Sequence, residues 1–216
     1  MTSVARSVRT SAPQYAALFM VLLIDWLIFP SFFSLNVVDG RLAGSIVDVL
    51  IRGAPVALLA LGMAGVIATR GIDLSVGAVM AIAGAIAANA LSAGSPWWTG
   101  VLYALGAGLI CGMWNGILVA YLRLQPIVST LVLMVAGRGI AQLITSGQIT
   151  TFNDAAFASI AGGSLLDVPL PILITAAAGA LLAILVRSTA LGLMIEAIGI
   201  NPQASDLVGL NTRTIL

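Results

Sequence analysis

The 216-residue chain has no histidine, no lysine and a single cysteine, Cys111, which lies in an apolar run. A Cys/His metal site, a disulfide within the chain and a histidine-based catalytic triad are therefore excluded. It also lacks a phosphate-binding G-x-x-x-x-G-K-[ST] loop, so the chain does not hydrolyse ATP by that route. Charge of either sign is scarce. Charged residues make up 8% of the chain, against about 25% in soluble domains. All nine cations are arginine and the net charge is +1, which leaves no basic face for nucleic acid. Hydrocarbon fills the space instead: 60% of residues are hydrophobic and the mean hydropathy is +1.12. A soluble core cannot absorb that much apolar surface, whereas a lipid bilayer can.

Windows of about 20 apolar residues mark membrane spans. They predict six spans: Tyr15–Phe33, Ala54–Thr69, Leu74–Leu91, Thr99–Leu122, Ile127–Thr145 and Pro169–Val186. The expected division is a tail at 1–14, a transmembrane domain at 15–186 and a polar, amphipathic segment at 187–216. The run from Tyr15 is too long for a signal peptide and has no small-residue cleavage site, so it reads as a retained anchor. Residues 34–53, with Asp39, Arg41, Asp48 and Arg52, read as a polar loop. Ser146–Val168, with Asp154 and Asp167, reads as another. Arginine placement sets the orientation. With the N-terminus inside, Arg6, Arg9, Arg70, Arg123, Arg187 and Arg213 are cytoplasmic, six of nine, and Arg41 and Arg52 lie outside. The expected fold is an all-α, polytopic transmembrane bundle with a cytoplasmic N-terminus.

Its centre is Arg70-Gly71-Ile72-Asp73-Leu74-Ser75-Val76-Gly77, two charges and two glycines between apolar runs. Charge near lipid is costly and needs a reason. Spans two and three hold 16 and 18 residues. At a rise of 1.5 Å per residue, span two covers only about 24 Å of a core of about 30 Å. Short, glycine-interrupted segments around 54–91 suit broken helices lining a transport path. A tight hairpin at the membrane surface, with Asp73 as helix N-cap, fits equally.

Span four carries Gly108, Gly112 and Gly116 at i, i+4 and i+8, a ridge that would admit a neighbouring helix. Asn115 beside it suits either an interhelical hydrogen bond or a contact with a polar solute. Arg138 lies twelve residues after Pro126, roughly 18 Å along span five. Such a charge costs about 2.5–3.5 kcal/mol to insert. Its candidate carboxylate partners are Asp25 and Asp73, and a solute contact is the other reading. Gln142, Thr145 and Gln148 continue that helix outward. Asp73, Ser75, Asn115 and Arg138 are expected to converge on a central cavity, because each is polar in a span or at its break.

The last segment has its own signals. Thr189–Ile198 reads as a helix stopped by Gly199. Asn201 then caps a short helix with Pro202 in its first position, and Gly209 ends it. Ala204, Leu207 and Val208 share one face, with Glu196 just upstream. A face without basic residues argues against lipid-surface docking. Asn211 reads as the cap of a further helix.

In order and spacing along essentially the whole chain, these residues resemble permease subunits of bacterial ABC importers for monosaccharides, the ribose/xylose/galactose group. The matching pieces are Gly71-Ile72-Asp73-Leu74-Ser75-Val76-Gly77, Asn115-Gly116, Pro126-Ile127-Val128-Ser129-Thr130-Leu131, Arg138-Gly139, Thr189-Ala190-Leu191-Gly192 and Glu196-Ala197-Ile198-Gly199-Ile200-Asn201 with Ala204 and Gly209. Val38-Asp39-Gly40-Arg41-Leu42 and Ala54-Pro55-Val56-Ala57-Leu58-Leu59 are most similar to galactofuranose-importing members. The resemblance implies monosaccharide import across the inner membrane, galactofuranose being the implied sugar. It implies no cofactor and no enzymatic activity in this chain. The implied partners are cytoplasmic ABC ATPase subunits, a second permease, identical or sister, and a periplasmic sugar-binding protein. The expected substrate path is Asp73, Ser75, Asn115, Thr130, Arg138 and Gln142, and the resemblance assigns the segment after span six, with Glu196, Ala197, Gly199, Asn201, Ala204, Leu207 and Gly209, to ATPase coupling. Family members continue through further spans, so this chain reads as truncated. Two rival classes are a membrane-embedded enzyme and a passive channel or structural subunit. No motif joins Asp25, Asp73 and Glu196 into an acid/base site, and a passive pore has no use for a docking segment.

Overall fold

The computed structural model describes residues 2–38, 41–210 and 212, with the backbone alone for 2–11, 38 and 41. The side chains of Arg6, Arg9 and Arg41, and all of Asp39, Asn211 and Arg213, lie outside the described residues. Helix α1 (Thr2–Ile28) leads through a 3-10 turn at Pro30–Phe33 to a hairpin of β1 (Asn36–Val38) and β2 (Arg41–Ala43). Then come α2 (Ser45–Ala68), α3 (Val76–Ser92), α4 (Trp97–Gly116) and α5 (Pro126–Ile144). A short α6 (Ala155–Gly162) and a second hairpin, β3 (Ser164–Leu165) with β4 (Val168–Pro169), precede α7 (Leu170–Ser188), α8 (Ala190–Ile200) and α9 (Pro202–Leu207). The protein is a bundle of apolar helices, and the strands serve only as two small clips.

Among the described residues, four helices are long and apolar enough to cross a membrane: α2, α4 with its π-helical continuation to Tyr121, α5 and α7. The apolar part of α1, Ala12–Ile28, and the 17-residue α3 are shorter. The large side chains point outward. Leu109, Ile110 and Val135 are 67%, 69% and 69% exposed, a surface that only hydrocarbon or another apolar face could cover.

The helices pack in two groups. α3 lies against both α4 and α5, while α2 packs on α7 and α8 touches both of these. The first group approaches closely because its facing side chains are small. Ile82 and Ala85 of α3 meet Ala107 and Cys111 of α4 and Leu133 and Ala141 of α5. At Gly137 of α5 a Cβ would stand 3.0 Å from the Ala78 methyl, so the seam is already closed there.

Three expectations are corrected. Span two is not short: α2 runs 24 residues from Ser45, and the region read as a polar loop is a hairpin followed by the first turns of this helix. Asp48 in the first turn favours that start. Pro55 sits inside the helix without ending it, as spans packed against neighbours allow. The glycine ridge of α4 receives no helix among the described residues, since a Cβ on Gly108, Gly112 or Gly116 would meet nothing within 4 Å. Gly199 does not stop a helix either. It lies inside α8, where a Cβ would stand 2.1 Å from the Ala68 carbonyl oxygen, so it is a point of close helix contact.

The two ends of the bundle differ. At one end the Leu42 N–H donates to the Asp167 carbonyl at 2.9 Å and joins the two hairpins. At the other, α2 ends beside the end of α8.

Candidate functional site

The break between α2 and α3 carries the polar chemistry. α2 closes with the Gly71 N–H donating to the Val66 carbonyl at 2.9 Å, which leaves Arg70 in the left-handed region at φ 61°. The chain then runs without regular secondary structure through Ile72 and Asp73 into the first turn of α3. Asp73 Oδ1 accepts from the Ser75 N–H at 2.7 Å and from the Ser75 hydroxyl at 2.6 Å. Asp73 therefore stabilises the start of α3 from outside it, and Ser75 holds the cap position. Ser75 is fully buried, and its Oγ accepts from Asn115 Nδ2 of α4 at 3.0 Å. On the other flank, Thr130 Oγ1 of α5 donates within reach of the Ile72 carbonyl (3.3 Å) and its own Pro126 carbonyl (2.9 Å). Four residues from three separate stretches thus meet at one break.

The network fixes which way Asn115 points. The Ser75 hydroxyl proton is committed to Asp73, so Ser75 can only accept from Asn115, and the amide nitrogen must face it. Asn115 Oδ1 then points away and is buried without a partner among the described residues. Asn115 itself is 8% exposed. The second oxygen of Asp73 also has no partner among the described residues.

These groups line a cleft of about 470 Å³ between α2, α4 and α5, within the 300–1,000 Å³ usual for small-molecule sites. Gly62 and Gly65 of α2 face it from one side, and Gly112 and Gly116 of α4 from the other. A Cβ on any of the four would meet open space, so these glycines keep the cleft wide. A smaller cavity of about 270 Å³ adjoins it and shares Asp73, Gly112 and Asn115. Among the described residues, Asp73 is the one charged residue that lines either.

Arg138 and Gln142 do not join this group. They line another cleft, of about 450 Å³, with Gly84, Ala88 and Thr145. Arg138 lies eight residues beyond Thr130, roughly 12 Å further along α5. Among the described residues neither Asp25 nor Asp73 pairs with it. The expected convergence of Arg138 with Asp73 is therefore corrected. The residues expected to couple to an ATPase lie on α8, on α9 and just past its end. The Asn201 side chain accepts from the Ala204 N–H at 3.1 Å and caps α9, with Pro202 at its first position. Glu196, Ala204, Leu207 and Val208 are exposed, Leu207 at 89%. Gly209, at φ 86°, follows the helix end, and Ala197 is half-buried on α8.

Sequence reasoning missed Gly62 and Gly65, whose i, i+3 spacing was a readable small-residue signal. It also passed over Ser129, which is 1% exposed and whose hydroxyl has no partner among the described residues, and the contact of Arg70 with α8.

Residues 45–216 match the family described as the permease component of branched-chain amino acid transport systems. The chain belongs to this family of membrane transport components, which are not in themselves enzymes, and it is a multi-pass membrane protein. It is 56% identical over 207 residues to the galactofuranose transporter permease protein YtfT of Escherichia coli, covering 96% of this chain and 61% of that one. It is 43% identical to the fructose import permease protein FruF of Bifidobacterium longum, covering 92% and 58%, and 37% identical to the ribose import permease protein RbsC of Haemophilus influenzae, covering 93% and 61%. The chain thus spans about three-fifths of the length of these relatives. No solved structure matches.

Proposed function

We propose that this chain is a permease subunit of an ATP-driven importer for a neutral monosaccharide, galactofuranose first among the candidates. The observation that carries the reading is the polarity of the cleft. Asp73, whose second oxygen has no partner among the described residues, lines it together with Asn115, and no cation stands among its described lining residues. Sugar hydroxyls are donors and suit such a lining. The carboxylate of an amino acid would meet the like charge of Asp73 without compensation, so the polyol is favoured over the amino acid in the family's description. Identity to the galactofuranose permease supports the choice of sugar.

ATP is hydrolysed on separate cytoplasmic subunits in this reading, and α9 with the end of α8 docks on them. The apolar face of α9 at Leu207 and Val208 supports that role. The N-terminus and α9 then lie on the cytoplasmic side of the inner membrane, and the two hairpins face outward towards a sugar-binding protein. Residues 15–186 form the membrane domain, completed by a second permease subunit. The test is uptake of labelled galactofuranose by the full-length gene product, reconstituted with its ATPase and binding protein. Uptake that Asn115→Leu abolishes, with the variant still folded, is the expected result. Transport undiminished by that substitution would remove the cleft from the pathway.

A further inference from the structure

The end of α2 is fastened to the end of α8. Arg70 Nη2 donates to the Ile200 carbonyl oxygen at 2.7 Å across 130 residues of sequence. Ile200 is the last residue of α8, and its carbonyl is one of those a helix leaves without an internal partner. It also carries the negative end of the helix dipole, which a guanidinium complements. Beside this bond Gly199 lies against the Ala68 backbone with no room for a Cβ. The two helix ends therefore touch both through backbone and through a charged hydrogen bond.

Arg70 holds this position at a conformational cost. Its φ of 61° is the left-handed conformation in which a helix C-terminus usually places glycine. Gly71, which could adopt it freely, stands one residue later. An arginine in a glycine position points to a use for its side chain.

The sequence neighbours of the bond are informative. On one side Asn201 follows Ile200 directly and caps α9. On the other, the Ile72 carbonyl lies within reach of the Thr130 hydroxyl, and Asp73 organises Ser75 and Asn115. Two residues thus separate Arg70 from Asp73, the carboxylate of the cleft, and one separates Ile200 from Pro202, the first residue of α9.

From this arrangement we infer that Arg70 is a positioning residue that couples the α8–α9 segment to the cleft, by holding the Asp73 loop to the end of α8. It touches no substrate. When α9 moves, the Arg70–Ile200 bond carries the displacement to Ile72 and Asp73, and so to the acceptors of the cleft. This rests on the reading of α9 as the ATPase contact.

The experiment compares Arg70→Gly and Arg70→Lys in the full-length gene product, reconstituted in proteoliposomes with its ATPase and binding protein. Glycine accepts the left-handed backbone and removes the guanidinium, so an arginine that serves only the turn would be replaced without loss. The expected result for Arg70→Gly is assembly and basal ATP hydrolysis as in the wild type, with sugar uptake per ATP reduced about fivefold or more, the size usual for linked sites. Arg70→Lys, which keeps a donor of the same charge, should recover part of that coupling. Wild-type uptake per ATP in the glycine variant overturns the inference. Loss of assembly in that variant also overturns it, because the bond would then serve folding. Ala204→Asp is the control for the underlying reading. If this charge on α9 leaves ATPase binding and uptake untouched, the docking assignment fails, whatever Arg70 does.

Discussion

Removing the Ser75 hydroxyl should damage the protein more than its single oxygen suggests, because two neighbours depend on it. Ser75 is fully buried, donates to Asp73 at 2.6 Å and accepts from Asn115 at 3.0 Å. Ser75→Ala loses a hydrogen bond to a carboxylate, worth about 1.5–3 kcal/mol net, and leaves the Asn115 amide as a buried orphan, which costs about 1–3 kcal/mol. Interhelical hydrogen bonds inside membranes average only about 0.6 kcal/mol in double-mutant cycles, with a maximum near 1.7. The two scales together place the loss at about 2 kcal/mol. For a chain of this size that lowers the thermal midpoint by roughly 4–8 °C. The Ser75 N–H still reaches Asp73, so the loop keeps one tie and the protein should fold.

The sharper measurement is a cycle with Asn115→Leu. That substitution removes the amide that Ser75 satisfies and also Oδ1, which is buried without a partner among the described residues. Alone it should cost less than about 1 kcal/mol, since one lost bond is offset by one orphan removed. In its background Ser75→Ala no longer strands the amide and should cost about 1 kcal/mol less than in the wild type. Thermal unfolding of the purified protein in detergent, read by intrinsic tryptophan fluorescence, gives all four corners of the cycle. Equal cost of Ser75→Ala in both backgrounds would refute the shared network.

Three further outcomes follow from contacts or from their absence. Gly199→Ala drives a Cβ to 2.1 Å from the Ala68 carbonyl oxygen, so it should destabilise by about 1–3 kcal/mol and expose α8–α9 to limited proteolysis. Gly112→Ala meets nothing within 4 Å, so it should leave stability unchanged or raise it by about 0.5–1 kcal/mol; it narrows both cavities at Asn115, and uptake assays should show a loss. Arg138→Gln should leave the thermal midpoint within about 1 °C of the wild type, because no carboxylate pairs with Arg138 among the described residues; a large fall would restore the ion-pair reading.

Much of this was legible in the residues themselves. Composition alone points to a bundle of apolar helices in lipid. The Asn201-Pro202 start of α9 is a local signal read by local rules, and it forms as expected. The boundary of α2 was less readable. Asp48, Arg52 and Pro55 all discourage a helix by composition, yet Asp48 in the first turn and packing against α7 carry the helix through. Glycines misled in a consistent way. Gly108, Gly112 and Gly116 read as a packing ridge but line open space, whereas Gly199 read as a stop and is a packing point. Spacing says that a helix face is bare. It does not say whether another helix, a ligand or nothing stands opposite, because that depends on how α2 and α4 are held apart.

What holds them apart converges on the break between α2 and α3. A carboxylate there would be expensive beside lipid, and Asp73 offsets the cost with two donors from Ser75. Those bonds need Ser75 buried against α4, which Asn115 secures. They also need the preceding turn to leave α2 sharply, which the left-handed Arg70 achieves. Left-handed backbone costs an ordinary residue about 1–2 kcal/mol, and the guanidinium recovers part of this at the Ile200 carbonyl. The polar break, the open cleft and the tie to α8 therefore depend on one another. A substitution that relaxed the turn alone would remove the tie, and one that neutralised Asp73 alone would strand Ser75 and, through it, Asn115.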